Sequence, residues 1–101
     1  MSKIGNYSAI GYPIDGGHEA VTTSGTSAAS SAAGAHVHRV VLEAPTEDVH
    51  INFGAAATVN DFRLTTTAGP VMFIIHPGQT VNGIQPTGGA GGTLYVNFMD
   101  A

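Results

Sequence analysis

The chain of 101 residues contains no cysteine and no tryptophan. Without cysteine there is no disulfide framework, no thiolate zinc site and no cysteine nucleophile, and the redox compartment stays open. Basic residues are almost as scarce, since Lys3, Arg39 and Arg63 are the whole set of Lys and Arg. So few cations cannot form the phosphate-tracking patch that nucleic-acid binding requires, which excludes nucleic acid as a partner. No apolar run approaches the roughly 18 residues of a membrane-spanning helix, so a membrane is not an expected partner. The first residues lack the basic-then-apolar pattern of a signal peptide; export is not expected, and the sequon Asn6-Tyr7-Ser8 carries no weight. Charge of either sign is in short supply. Charged residues make up 10% of the chain, with a formal net charge of −4, against roughly 25% charged in an average soluble domain. A free monomer relies on surface charge for solubility, so this neutrality suits a chain covered by copies of itself or by a partner.

The sequence nevertheless holds 23 Ile, Leu, Val and Phe residues, enough for one modest core in a single small domain. Their distribution predicts two parts: an extended arm over residues 1–35 and a β body over 36–101. The arm carries scattered Ile4, Tyr7, Ile10, Tyr12 and Ile14, read as contacts awaiting a surface. It ends in the small-residue run Thr22 to Gly34, whose side chains cannot offset their ordering entropy by burial. Within that run, Ala28 to Ala33 could form one helical turn, too short to be stable alone.

From His36 onward the period is two. His38, Val40 and Leu42 share one parity; Val49, Ile51 and Phe53 alternate with His50 and Asn52; Leu94, Val96 and Phe98 alternate with Tyr95, Asn97 and Met99. Phe62 to Leu64 and Val81 to Ile84 mark shorter strands, and continuously apolar Val71 to Ile75 suits a strand covered on both faces. These are six strands, and a further one over Glu19 to Thr23 would make seven. Turn chemistry separates them, notably Ala44-Pro45-Thr46, Ala68-Gly69-Pro70, His76-Pro77-Gly78-Gln79 and Gly88-Gly89-Ala90-Gly91-Gly92. This layout predicts an all-β fold, a small antiparallel β-sandwich or jelly-roll-like barrel with an extended N-terminal arm.

Chemistry-bearing residues are few. His36 and His38 are spaced to lie on one face of a strand, about 7 Å apart, and Glu43 follows. The spacing His36-x-His38-x4-Glu43 resembles the first metal motif of cupin barrels, but the flanking glycines and a second motif are missing, since His76 precedes Pro77-Gly78. The plain alternative is a histidine pair at a strand start, exposed or packed on a neighbouring subunit. Glu47 and Asp48 follow a turn and read as a solvated loop, as do Asp15 and Asp61; the Gly88–Gly92 run reads as a flexible hairpin connection. No Gly-x-Ser-x-Gly elbow is present, so no catalytic residue and no cofactor are assigned. Tyr95, Met99 and Met72 lie on the second faces of their strands and read equally as core or as subunit contacts.

From Ser24 to Phe98 the order of motifs resembles small virion proteins of tailed bacteriophages. The resemblance rests on the Ser/Ala-rich lead-in Ser24 to Ala33, then Ile51-Asn52-Phe53-Gly54, then Ala57-Thr58-Val59-Asn60-Asp61-Phe62-Arg63-Leu64. It continues through Pro77-Gly78-Gln79 and closes on Gly91-Gly92-Thr93-Leu94-Tyr95-Val96. It implies a non-enzymatic structural protein of the head-decoration (cement) type, bound to the major capsid protein lattice on the virion surface and made in the host cytoplasm. It also implies a homo-oligomer, with a trimer the favoured number. The contact residues would be Ile4, Tyr7, Ile10, Tyr12, Ile14, Tyr95 and Met99. A tail component or a receptor- or glycan-binding module is the neighbouring alternative, and a small cupin-like metal protein using His36, His38 and Glu43 is the more distant one.

Overall fold

The structure, a computed structural model, describes residues 12–100. Among the described residues eight strands run in chain order: β1 (Tyr12–Thr22), β2 (Ala28–Ala29), β3 (Val37–Glu43), β4 (Val49–Phe53), β5 (Phe62–Leu64), β6 (Val71–Ile74), β7 (Val81–Ile84) and β8 (Thr93–Asp100). A 3-10 turn at Thr66–Ala68 separates β5 from β6. The strands form two four-stranded sheets, ordered β1-β8-β3-β6 and β2-β7-β4-β5, antiparallel throughout. The pairs β1–β8, β2–β7, β3–β6 and β4–β5 are those of one long hairpin. Rolling that hairpin up adds β3–β8 and β4–β7, which is the jelly-roll arrangement. The all-β expectation therefore holds.

The core lies between the sheets. Val40, Leu42, Val49, Ile75, Val81, Leu94 and Val96 are fully buried there, with Phe98 and Ile51 beside them. Alternation places these side chains inward on β3, β4 and β8, and their burial supplies most of the driving force for folding. One inward position cannot carry a side chain. A Cβ on Gly83 would come within 2.9 Å of Val49 Cγ1 and 3.2 Å of Leu94 Cδ2, so glycine lets the sheets close at that point. Gly54, which follows β4, adopts φ +83°, a left-handed turn conformation that glycine reaches at no steric cost.

Several expectations change. Residues 12–35 do not form a detached arm: β1 is an edge of the first sheet and β2 an edge of the second, so the boundary at residue 35 runs through the sandwich. The small residues gain order through hydrogen bonds to the neighbouring strand, and Thr23, Ser30 and Ala33 are buried there as well. Ser30 N–H donates to Val81 O, Val81 N–H to Ser30 Oγ, and Ala33 N–H to Gln79 O. Ala28–Ala29 is a short strand and not a helical turn, because β7 offers it a ladder.

The parity of β3 also shifts. Val37 lies opposite Asp100 and Arg39 opposite Met99, so His38 is one residue too many for the ladder, a β-bulge. Val37, Val40 and Leu42 are consequently buried while His38 is exposed. Finally, β6 is not covered on both faces. It is the outer strand of its sheet; Phe73 turns inward, whereas Met72 and Ile74 turn outward and are 40% and 64% exposed.

Candidate functional site

The outward face of the β1-β8-β3-β6 sheet is unusually short of charge. Residues in register form three rows across it: His18–Asn97–Val41–Met72, Ala20–Tyr95–Glu43, and Met99–Arg39–Ile74. A sheet face turned to water is ordinarily lined by polar side chains. Here Val41, Met72, Ile74, Tyr95 and Ala20 occupy positions where polar residues would be expected, and Arg39 and Glu43 are the base and the acid among them. His18 and Asn97 brace the face. Asn97 Nδ2 donates to Val41 O, which orients its amide so that Oδ1 accepts from His18 Nδ1–H at 2.7 Å. The Tyr95 ring rests against the His18 ring with centroids 5.3 Å apart.

Beside β6, the open side of the sandwich is closed by aromatics from both sheets. Phe73 meets Phe53 and Phe62 edge-on, at centroid distances of 5.8 and 5.7 Å. Phe53 is half-buried, but Phe62 remains 60% exposed. Phe62, Met72 and Ile74 are thus exposed apolar side chains on and beside this edge.

The contact residues named from the sequence fare differently. Ile4, Tyr7 and Ile10 lie outside the described residues. Tyr12 is the first residue of β1, opposite Asp100. Ile14 is already half-buried against the core, so it is not awaiting a surface. Tyr95 and Met99 do lie on the outer face; Tyr95 is half-buried there, while Met99 is buried by its own chain. Val41, Ile74 and Phe62 were missed. The uninterrupted apolar run Val71 to Ile75 was the available signal, but an apolar strand reads the same at the centre of a sheet and at its edge.

The histidine–carboxylate motif is not assembled. β3 runs continuously from Val37 to Glu43. With roughly 3.3 Å of rise per residue, Glu43 lies on the order of 16 Å along the strand from His38, too far to share an ion. Both His36 and His38 are exposed. Among the described residues no group of three or more His, Cys, Asp or Glu side chains is placed to hold a metal.

An open polar cleft of about 390 Å³ lies at the other end, between Thr46–Asp48, Arg63, Thr66 and Pro86–Gly89. Its carboxylates are engaged within the chain. Glu47 accepts the Ala90 and Gly91 N–H groups at 2.8 and 2.9 Å, which pins the glycine-rich loop that composition alone reads as flexible. Asp48 accepts Thr66 N–H and Arg63 Nε–H, each at 2.9 Å. These bonds, Thr66 first and Arg63 next, hold the Asp48 carboxyl below its ordinary range. Asp61 is lowered in the same way, chiefly by the Thr58 N–H and the Asn52 amide. It ends the loop that folds over β4, where its carbonyl accepts from buried His50 Nδ1–H at 2.9 Å. Asp48, Glu47 and Asp61 are therefore loop staples and not solvated turn residues.

No protein family and no curated protein matches the chain. Among solved structures, an RmlC-like cupin from Shewanella frigidimarina NCIMB 400 is similar over 89% of this chain and 82% of that one, with 20% identity and a TM-score of 0.38.

Proposed function

We propose that the chain is a structural assembly protein of the head-decoration type, which docks in many copies on the capsid lattice of a tailed bacteriophage. The observation that carries this reading is the outward face of the β1-β8-β3-β6 sheet. It presents Val41, Met72, Tyr95 and Ile74 to solvent on a chain with 10% charged residues. Exposed apolar surface rimmed by polar groups marks an interaction site. A face carrying few charges loses little solvation on docking, because few charges must be stripped of water. Each copy needs only modest affinity, because binding to a repetitive lattice multiplies weak contacts. The polar groups of the cleft serve the chain's own loops, which agrees with a non-catalytic role.

The test is co-sedimentation of the purified protein with undecorated heads of the phage whose genome carries this sequence. Saturable binding, weakened at least tenfold by Tyr95→Glu, is the expected result. Absence of binding, or binding indifferent to Tyr95→Glu, contradicts the reading.

A further inference from the structure

Asp15-Gly16 and Asn82-Gly83 are the two places in the chain where Asp or Asn precedes glycine. Glycine has no side chain to crowd its own nitrogen. That nitrogen can therefore reach the preceding side-chain carbonyl carbon and close a five-membered ring. In an unstructured chain the amide reacts faster than the acid, because a carboxylate must take up a proton before it can lose water. The fold reverses that order.

Asn82 is held on every side. It is 6% exposed on β7, an inner strand, opposite Ala29 and Asn52. Its Nδ2, which would leave as ammonia, donates to Thr80 Oγ1 at 2.9 Å and to Asn52 O and Thr80 O at 3.3 Å. Gly83 stands between Ala28 and Ile51 with Val49 and Leu94 packed over it, so its nitrogen cannot swing without opening the sheet. Asp15 is placed in the opposite way. It is exposed on β1, the sheet edge, within a bulge where Ile14, Asp15, Gly16 and Gly17 stand against Phe98 alone. None of those four has a register partner on β8. Gly16 turns there with φ +71°, and a Cβ built on it would touch nothing within 4 Å, so the space around the step is open. Segments with few contacts open locally at little cost.

We propose that Asp15 is a site of spontaneous isomerisation to isoaspartate in the folded protein. The Gly16 nitrogen bonds to Asp15 Cγ; its proton and one carboxyl oxygen, with the proton that carboxyl has taken up, leave as water. The succinimide then takes up one water. Opening at the original main-chain carbonyl carbon routes the chain through Cγ, and opening at Cγ restores aspartate. No oxidant, cofactor or enzyme enters. The extra main-chain carbon falls inside the bulge, between the Tyr12–Pro13 and His18–Thr22 stretches of ladder, so the core keeps its packing.

The full-length protein is held for weeks at neutral pH and body temperature in heavy-oxygen water, beside Asp15→Glu and beside wild type in guanidinium chloride. Ring opening leaves a heavy oxygen in the residue, which peptide mass spectrometry locates, and chromatography separates the isoaspartyl peptide. In native wild type, label at Asp15 should exceed that at Asp48 or Asp61 at least tenfold, with Asn82 still an amide. Asp15→Glu should take up none at this position, because the six-membered ring closes far more slowly. In guanidinium chloride Asn82 should overtake Asp15. Native protein that leaves Asp15 unlabelled, or that converts Asn82 first, would overturn the proposal. So would unfolded protein in which Asn82 stays the slower of the two, since the order would then owe nothing to the fold.

Discussion

The two edges of the β1-β8-β3-β6 sheet are built in opposite ways. At the β1 edge, pairing with β8 breaks between Pro13 and His18, and polar residues face outward. Glu19 also reaches across the sandwich to accept hydrogen bonds from Ser31 N–H, at 3.0 Å, and from the Ser31 hydroxyl. That clasp joins the edge of one sheet to the loop after β2, the edge of the other. At the β6 edge no such clasp exists among the described residues; aromatic rings from β4, β5 and β6 fill the gap, and Phe62 and Ile74 stay largely exposed. One edge is finished by a hydrogen-bonded clasp, the other by packed aromatic rings that leave apolar side chains at the surface.

The most severe way to break this contrast is to remove residues 1–20. The cut deletes most of β1, which pairs with β8 from Tyr12 to Thr22, and strips one side of buried Leu94 and Val96. Loss of the cooperative thermal transition is expected. A folded product would show that β1 is dispensable. A smaller perturbation at the same edge is Gly17→Ala. The added Cβ would sit 2.8 Å from Phe98 O and 2.6 Å from Ile14 Cγ1, so the bulge must move. Overpacking of this kind costs about 1–3 kcal/mol, readable as a lower urea midpoint at unchanged slope. Glu19→Ala removes the clasp and should cost about 1 kcal/mol, because both groups are exposed and water replaces the lost bonds.

At the β6 edge, Ile74→Lys should alter the unfolding free energy of the dilute protein by no more than about 0.5 kcal/mol, as for an exposed position. Its expected effect is on docking: co-sedimentation with undecorated heads should weaken severalfold, and unchanged binding would remove Ile74 from the docking face. Acid provides a control that leaves the edges alone. Asp48 and Asp61 have folded-state pKa values lowered below 3.8, so each contributes stability above that value that is lost as pH falls through its folded pKa. Melting temperature should fall below about pH 4, less steeply in Asp61→Asn; an identical slope would remove Asp61 from the account.

Much of the sandwich could be read from period and turn chemistry. Val49–Phe53, Phe62–Leu64 and Val81–Ile84 appear with the bounds their alternation and flanking glycines and prolines suggest. β1 was largely invisible because Asp15-Gly16-Gly17-His18 interrupts any alternation, and β2 because two alanines carry no period. The bulge at His38 could not be seen either, since it arises from the register with β8, and it reverses the parity of everything before it. Site legibility was poorer for a related reason. Tyr95 is on the expected face, but the rows that make that face apolar join residues from four strands, as His18, Asn97, Val41 and Met72 do. Likewise, Glu47 pins Ala90 and Gly91 across more than forty residues of chain, beyond the reach of any local pattern.

The most direct measurement is amide hydrogen exchange of the 101-residue chain with and without undecorated heads. Docking through the outer face predicts that exchange slows in β3, β6 and β8 when heads are added, while β4 and β5 exchange at unchanged rates. Exchange indifferent to heads, or slowed alike in both sheets, would contradict the reading of that face as the docking surface.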